Sequence, residues 1–202
     1  MAWVLGNVAS AAGSGSPATA TTAAIDTTGA TLLVAIGGAY AGTVEYGMSD
    51  SAGNTWEMAV SENATLWSVI FYCINPTTSA EHTFSFGPVG YPGLSVAAFS
   101  GFPTISLDQT NSGSGAGAST VQPGSVTPTT DGQLIVTGYT DGSAAVPAID
   151  DSFDVATYIE HGGSNESACI GYLDQATGSP LNPTWSGGQC YAATIASFKG
   201  TG

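Results

Sequence analysis

Positive charge is almost missing from this sequence. Lys199 is the one lysine or arginine among 202 residues, against 15 acidic residues, and the formal net charge is −14. Binding to nucleic acids needs several Lys or Arg side chains that neutralise phosphates, and anionic membranes attract basic segments for the same reason. The composition therefore excludes nucleic acids and membranes as partners, and the acidic charge is expected to keep the protein soluble.

Charge of either sign is also scarce. Charged residues make up 8% of the chain, against about 25% in an ordinary globular domain. Hydrophobic residues make up 43%, which is enough for a substantial core. The polar surface must therefore consist of Ser, Thr, Asn, Gln and Gly, and such a surface is suited to tight packing against a neighbouring molecule.

Long apolar runs and a basic leader are missing too. No stretch of about 18 apolar residues occurs, so the sequence predicts no transmembrane helix. Residues 1–16 are rich in Ala and Gly but contain no basic n-region. A secretory signal peptide is therefore not predicted.

Helical periodicity is absent, and short runs of β-branched and aromatic residues lie between 28 glycines and 10 prolines. This pattern predicts an all-β protein with many short strands. The continuously apolar run Leu32–Ile36 is typical of a central strand that is covered on both faces. The predicted strands are 19–25, 31–36, 55–60, 66–74, 82–86, 94–100, 121–127, 133–139, 153–159, 167–173 and 191–198.

An internal repeat with a period near 100 residues runs through the sequence. The offset between matching positions shrinks from 102 to 99, as small deletions after a duplication would produce. The matches are Leu32–Val34 with Leu134–Val136, Asp50 with Asp151, Tyr72 with Tyr172, Thr77 with Thr177, Phe86 with Trp185, and Phe99 with Phe198.

This repeat predicts how the chain is organised. We expect one domain, 1–202, with pseudo-repeat halves at about 17–101 and 118–200 that pack face to face as a double-sheet β-sandwich of jelly-roll type. The Gly/Ser-rich run 111–120 is then a long surface loop. The alternative is two tandem small β domains joined by 111–120 as a flexible linker.

Groups that could perform catalysis are few. A hydrolytic triad needs a histidine beside a nucleophile and an acid, and the two histidines, His82 and His161, are both expected to be exposed. No Gly-x-Ser-x-Gly elbow occurs. The acidic run 150–154 resembles a turn more than the carboxylate pair of a glycosidase. The sequence therefore predicts no catalytic residues and no enzyme.

Metal and cofactor sites are not predicted either. The acidic stretches 50–54 and 150–154 are the only candidates for calcium, but neither fits an EF-hand loop, so capping of turns is expected. Gly113, Gly115 and Gly117 are not followed by the Lys-Ser/Thr of a phosphate-binding loop.

Cysteine and tryptophan leave alternatives open. The three cysteines, Cys73, Cys169 and Cys190, lie among apolar or small residues and are expected to be buried hydrophobic side chains. A disulfide between Cys169 and Cys190 is the alternative. The four tryptophans are expected to anchor the core, and the alternative is that they are exposed and stack on sugars. They are Trp3, Trp56, Trp67 and Trp185.

The segment 49–56, Ser-Asp-Ser-Ala-Gly-Asn-Thr-Trp, resembles a group of phage and prophage β-sandwich proteins that share a D-x-x-G-N-T-W turn and strand. The resemblance continues over most of the chain, at 96–101, 107–109, 122–128 and 195–199. It implies a β-sandwich virion component of head-decoration or tail-fibre type, with no catalytic residues to carry over.

These observations lead to an expected function. We expect a capsid decoration, or cement, protein on the exterior of a phage head, bound to the major capsid protein or other virion proteins. A homo-oligomer, a trimer by analogy, is expected as well. The alternative is a glycan-binding module of a tail fibre or surface adhesin, and a glycoside-cleaving enzyme is a third hypothesis.

Overall fold

The computed structural model describes residues 1–40, 47–163 and 166–202. All regular structure in these ranges is β-strand, so they contain no helix that could cross a membrane. The strands are β1 (Val4–Ala12), β2 (Ala18–Thr21), β3 (Leu32–Tyr40), β4 (Met48–Asp50), β5 (Glu57–Asn63), β6 (Leu66–Ile74), β7 (Phe84–Ser100), β8 (Thr104–Val121), β9 (Gln133–Asp141), β10 (Ala148–Ile149), β11 (Asp154–Ile159), β12 (Ala168–Gln175) and β13 (Trp185–Thr201).

The strands form two antiparallel sheets. The first has the order β1-β7-β3-β6-β5, and β2 and β4 pair with the amino-terminal part of β7. The second has the order β8-β13-β9-β12-β11, with β10 paired to β13. The all-β prediction is confirmed. Strand β3 lies at the centre of its sheet with both faces buried, as its apolar sequence predicts.

The two sheets share one strand order and one register. Val34 pairs with Tyr72 in the first sheet, and Val136 pairs with Tyr172 in the second. Likewise, Leu32 lies opposite Phe99 and Leu134 lies opposite Phe198. The residues matched in the sequence repeat therefore occupy equivalent ladder positions. This agrees with the predicted duplication, which stays a prediction together with the jelly-roll connectivity.

The largest core lies between the two sheets. Alternate residues of β3 and β9, such as Leu32 and Leu134, point into it because successive side chains of a strand face opposite sides. Two aromatic contacts cross the interface. The ring centroids of Phe99 and Tyr172 are 5.8 Å apart, and those of Tyr72 and Phe198 are 5.4 Å apart. The sheets therefore pack face to face, as expected for a double-sheet sandwich.

The outer face of each sheet is apolar as well and carries its own cover. In the first half, Leu33 and Ala35 pack against Ala20 of β2 and against Phe84 and Phe86 at the start of β7. The second half repeats this arrangement with smaller clusters around Trp185, Tyr139 and Ile135. This cover explains why the central strands are buried on both faces.

The predictions for residues 111–120 were wrong, because these residues are neither a surface loop nor a linker. They belong to β8, which pairs with β13 along most of its length. A Cβ atom at Gly113 would collide with the carbonyl oxygen of Gln122, and one at Gly115 would lie 2.5 Å from the carbonyl oxygen of Cys190. Small residues are therefore required here by close packing, not by flexibility.

The strand bounds differ from the predictions in several places. Strand β1 was missed, and the second half begins with β8 at Thr104, so the boundary predicted at 118 falls inside a strand. The predicted strand 94–100 and residues 84–86 of the predicted strand 82–86 belong to the single 17-residue strand β7, and His82 forms only an isolated bridge with Ile25. The segment predicted at 121–127 continues beyond β8 only as an isolated bridge between Val126 and Leu181.

The close packing at Gly113 yields a test. We expect Gly113→Ala to lower the free energy of unfolding by about 1 to 3 kcal/mol, because the added methyl group must displace backbone. The matched control is Gly47→Ala, where the nearest atom to a new Cβ lies 3.8 Å away. Urea denaturation measures both. Equal stability of Gly113→Ala and wild type would show that 111–120 is flexible after all.

Candidate functional site

The carboxylate of Asp50, at the end of β4, organises the turn that follows it. It accepts hydrogen bonds from the backbone N–H of Ala52 at 3.0 Å and of Asn54 at 3.1 Å. The side chains of Asn54 and Trp56 also donate to it, at 3.0 and 2.8 Å. The expected capping role of the 50–54 stretch is confirmed.

Asn54 extends this arrangement to the segment between β6 and β7. Its amide nitrogen donates to the carbonyl oxygen of Thr77 at 3.0 Å, and its oxygen accepts from the Thr77 N–H at 2.7 Å. Gly53 has a φ of 75°, which favours glycine at this position. The D-x-x-G-N-T-W motif is therefore a brace between two chain segments, in which Asp50, Gly53, Asn54 and Trp56 each have a structural role.

His82 packs against Asp50 in the interior and is part of the same brace. The prediction that His82 is exposed was wrong. The ring is fully buried and stacks on Phe84 with centroids 4.4 Å apart. Its Nε2 lies 3.4 Å from Asp50 Oδ1, and its Nδ1 lies 2.8 Å from the hydroxyl of Thr27. The Thr27 hydroxyl also interacts with both the N–H and the carbonyl oxygen of Ser79.

Asp50, His82 and Thr27 follow the acid–histidine–hydroxyl order of a hydrolytic triad, but their surroundings are those of a structural core. All three side chains are buried, so the hydroxyl of Thr27 has no open route to a substrate. Burial alone would raise the pKa of Asp50, but hydrogen bonds from Asn54, Trp56 and His82 lower it. Asp50 therefore stays ionised and holds the brace together.

A second buried carboxylate, Asp141, lies at the end of β9. It accepts hydrogen bonds from the Tyr139 hydroxyl at 2.9 Å, from the N–H and hydroxyl of Ser143 at 2.8 and 3.0 Å, and from the Gly188 N–H at 3.3 Å. The Tyr139 hydroxyl is also 3.1 Å from the sulfur of Cys190. These contacts tie the ends of β9 and β13 together.

His161 has its own acidic partner, Glu166, whose Oε2 lies 3.3 Å from His161 Nδ1. The His161 side chain is 24% exposed, so the expected exposure holds only in part. Burial raises the pKa of Glu166, while the neighbouring His161 acts in the opposite direction. Each histidine therefore lies beside a different carboxylate, His82 beside Asp50 in the first half and His161 beside Glu166 in the second.

Lys199, the only lysine, is held by Asp108 at 3.3 Å. The same carboxylate accepts from the N–H and hydroxyl of Thr129 at 2.8 and 2.7 Å and from the side chain of Gln133 at 2.8 Å. Although burial opposes the shift, these bonds lower the pKa of Asp108 to about 2. The one cationic side chain therefore has an internal partner.

The 150–154 stretch forms a turn, as expected. Asp150 accepts a hydrogen bond from the Thr184 N–H at 2.6 Å, and Asp151 and Ser152 have left-handed φ angles of 56° and 65°. No group of three or more His, Cys, Asp or Glu side chains in the described residues could hold a metal ion.

The cysteines and tryptophans are mostly core residues. All three cysteines are free and buried, so the alternative of a Cys169–Cys190 disulfide was wrong. Trp3 and Trp185 are buried, whereas Trp56 and Trp67 are half-buried. None of the four forms the exposed platform that sugar stacking on tryptophan would need.

Two surface features were not predicted. One is an exposed pair of tyrosines, Tyr40 and Tyr91, whose ring centroids are 6.4 Å apart. The other is the exposed part of β8, where Thr110, Asn111 and Ser114 face solvent and residues 109–120 contain no charged side chain, although the Ser112 hydroxyl donates to the Glu62 carboxylate at 2.8 Å. The tyrosines lie far apart in the sequence, and the glycines of β8 suggested a loop, so the sequence carried no signal for either feature.

Comparison with known proteins identified no relative of the chain. No family model, no curated protein and no solved structure matches the chain.

The brace around Asp50 can be tested by one substitution. Asp50→Asn keeps the shape but replaces an acceptor oxygen by a donor facing the N–H groups of the turn and Trp56. We expect a loss of about 2 to 4 kcal/mol in the free energy of unfolding. The control is Asp151→Asn at the matching repeat position, which is exposed and should change stability by less than about 0.5 kcal/mol. Equal effects in thermal denaturation would contradict the brace.

Proposed function

We propose that this protein is a non-enzymatic structural component of a phage virion, a decoration protein that binds to the exterior of the capsid. Its partners are then the major capsid protein or other virion proteins, and copies of the chain itself. The observation that carries the proposal is the outer strand β8, whose segment 109–120 contains no charged residue and offers a polar surface for docking.

Strand β8 is suited to docking because of its position and composition. Among the described strands it pairs only with β13, so it lies at the edge of its sheet. Proteins usually protect such edges with charged side chains or proline. Residues 109–120 contain neither. An edge of this kind supports the proposal because a partner that packs against residues 109–120 would desolvate no charged side chain of the strand itself.

The polar interior supports the same proposal. The carboxylates of Asp50, Asp108 and Asp141 are all engaged in internal hydrogen bonds that tie loops and strand ends together. A body braced in this way suits a protein that must keep its shape on a particle. The resemblance of the 49–56 segment to phage β-sandwich proteins points in the same direction, since that segment forms the first of these braces.

The net charge is consistent with an exterior location. At −14, the protein is repelled by nucleic acid, and its one lysine has an internal partner. Inside a packaged head such a surface would meet dense DNA. On the outside it faces solvent and helps to keep particles apart.

The proposal is tested on particles of the phage that encodes this chain. We expect cryo-electron microscopy to reveal copies of the sandwich on the outer shell at a regular position. The double substitution Thr110→Glu/Ser114→Glu on β8 should lower occupancy at least about tenfold, because charge is introduced into a docked surface.

The matched control carries the same added charge elsewhere. Ser14→Glu/Val146→Glu changes two exposed loop residues and should bind like wild type. Purified particles without any copy of the chain on shell or tail would refute the proposal. Full occupancy by the β8 variant would refute the role of that strand.

A further inference from the structure

Two exposed tyrosines meet where β3 ends. Tyr40, the last residue of β3, is 50% exposed, and Tyr91 in β7 is 36% exposed. Their ring centroids are 6.4 Å apart and the ring planes are at 88°, an edge-to-face arrangement. The two rings therefore form a right-angled corner that is open to solvent, whereas the tryptophans of this protein are buried or half-buried.

The backbone of Tyr91 is strained in a way that keeps this ring outside. Its φ is 51°, in the left-handed region where bulky side chains are rare. The N–H of Tyr91 donates to the carbonyl oxygen of Gly15 at 2.7 Å, and its carbonyl oxygen accepts from the N–H of Glu166 at 2.8 Å. These two bonds fix the conformation from both sides.

Glycine would adopt this conformation without strain, and the chain uses glycine at the nearby positions 90 and 93. The ring of Tyr91 is 36% exposed, so the strain does not serve to place a fully buried side chain. Strain of this kind is retained where a side chain has a function outside the fold. Tyr91 is the one aromatic residue among the described non-glycine residues with positive φ.

Among the described residues, the surroundings of the pair are polar and contain no lysine or arginine, because Lys199, the one such residue in the sequence, is paired with Asp108. The hydroxyl of Ser16 lies next to Gly90, 3.1 Å from where a Cβ of that residue would be. The partly exposed ring of His161 contacts Glu166, which is bonded to the Tyr91 backbone. Together with a net charge of −14, this setting disfavours anionic ligands and offers hydrogen bonds to neutral hydroxyl groups.

We propose that Tyr40 and Tyr91 form a binding site for a neutral pyranose sugar. One ring supports the apolar C–H face of the sugar by stacking, and the perpendicular ring closes one side. The tyrosine hydroxyls, with the Ser16 hydroxyl beside Gly90, supply hydrogen bonds to sugar hydroxyls. The site is independent of docking through β8, so either proposal can fail without the other.

The test begins with an array of neutral and sialylated oligosaccharides, probed with the full chain. The best neutral oligosaccharide is then titrated against four variants by calorimetry. Tyr91→Gly and Tyr40→Ala should each weaken binding about tenfold or more because a stacking ring is lost. Tyr91→Phe keeps the ring but loses one hydroxyl, so it should weaken binding less than Tyr91→Gly does. Met58→Ala, which removes an equally exposed large side chain on β5, should bind like wild type.

Stability separates a binding role from a packing role. Tyr91→Gly should melt at a Tm no lower than that of wild type, because glycine relieves the left-handed strain. Weak binding at an undiminished Tm supports the site. The proposal would be overturned by an array without binding or by binding to sialylated glycans alone. It would also be overturned if both Tyr91→Gly and Tyr40→Ala kept the wild-type affinity, or if the chain bound a proline-rich decapeptide but no sugar.

Discussion

Two apolar sheet faces that must cover each other set the architecture of this protein. The first half of the chain forms a seven-stranded sheet and the second half a six-stranded sheet, and the inner side of each is lined with large apolar side chains. Neither face could remain in water, because burial of apolar surface supplies most of the favourable free energy of folding. The reciprocal contacts Phe99–Tyr172 and Tyr72–Phe198 show that each half completes the core of the other.

A second constraint follows from the first. The outer faces of β3 and β9 are apolar as well, so they too must be covered. Each half covers its own outer face with short strands and with the start of a 17-residue strand, β7 in the first half and β13 in the second. The loops that carry these covers are then fixed by buried carboxylates, as at Asp50 and Asp141. The buried carboxylates Asp50 and Asp141 are therefore part of the structural core, while the edge strand β8 and the rings of Tyr40 and Tyr91 are exposed.

Sequence reasoning predicted the parts of the fold that depend on strand composition. The apolar run Leu32–Ile36 identified a central strand, and the matches between Tyr72 and Tyr172 fell on equivalent ladder positions. It failed where tertiary packing overrides composition. Strand β1 and residues 111–120 are rich in small residues, which look like loop until the close approach of Gln122 to Gly113 is known.

The candidate sites were less predictable than the fold. His82 stands at a strand start among polar residues, and its burial between Asp50 and Thr27 depends on segments distant in the sequence. The pairing of Tyr40 with Tyr91 likewise depends on which strands become neighbours. A single sequence gives residue types and periods, but not the long-range register that brings such groups together.

The central claim is that the two halves form one cooperative unit through their shared core. Native-state hydrogen exchange, followed by mass spectrometry at increasing urea concentration, tests it directly. The amides of β3 and β9 should exchange through one opening with the same free energy and the same urea dependence. If the amides of one half exchange through a separate opening of lower free energy while the other half stays protected, the halves are independent domains and the account is wrong.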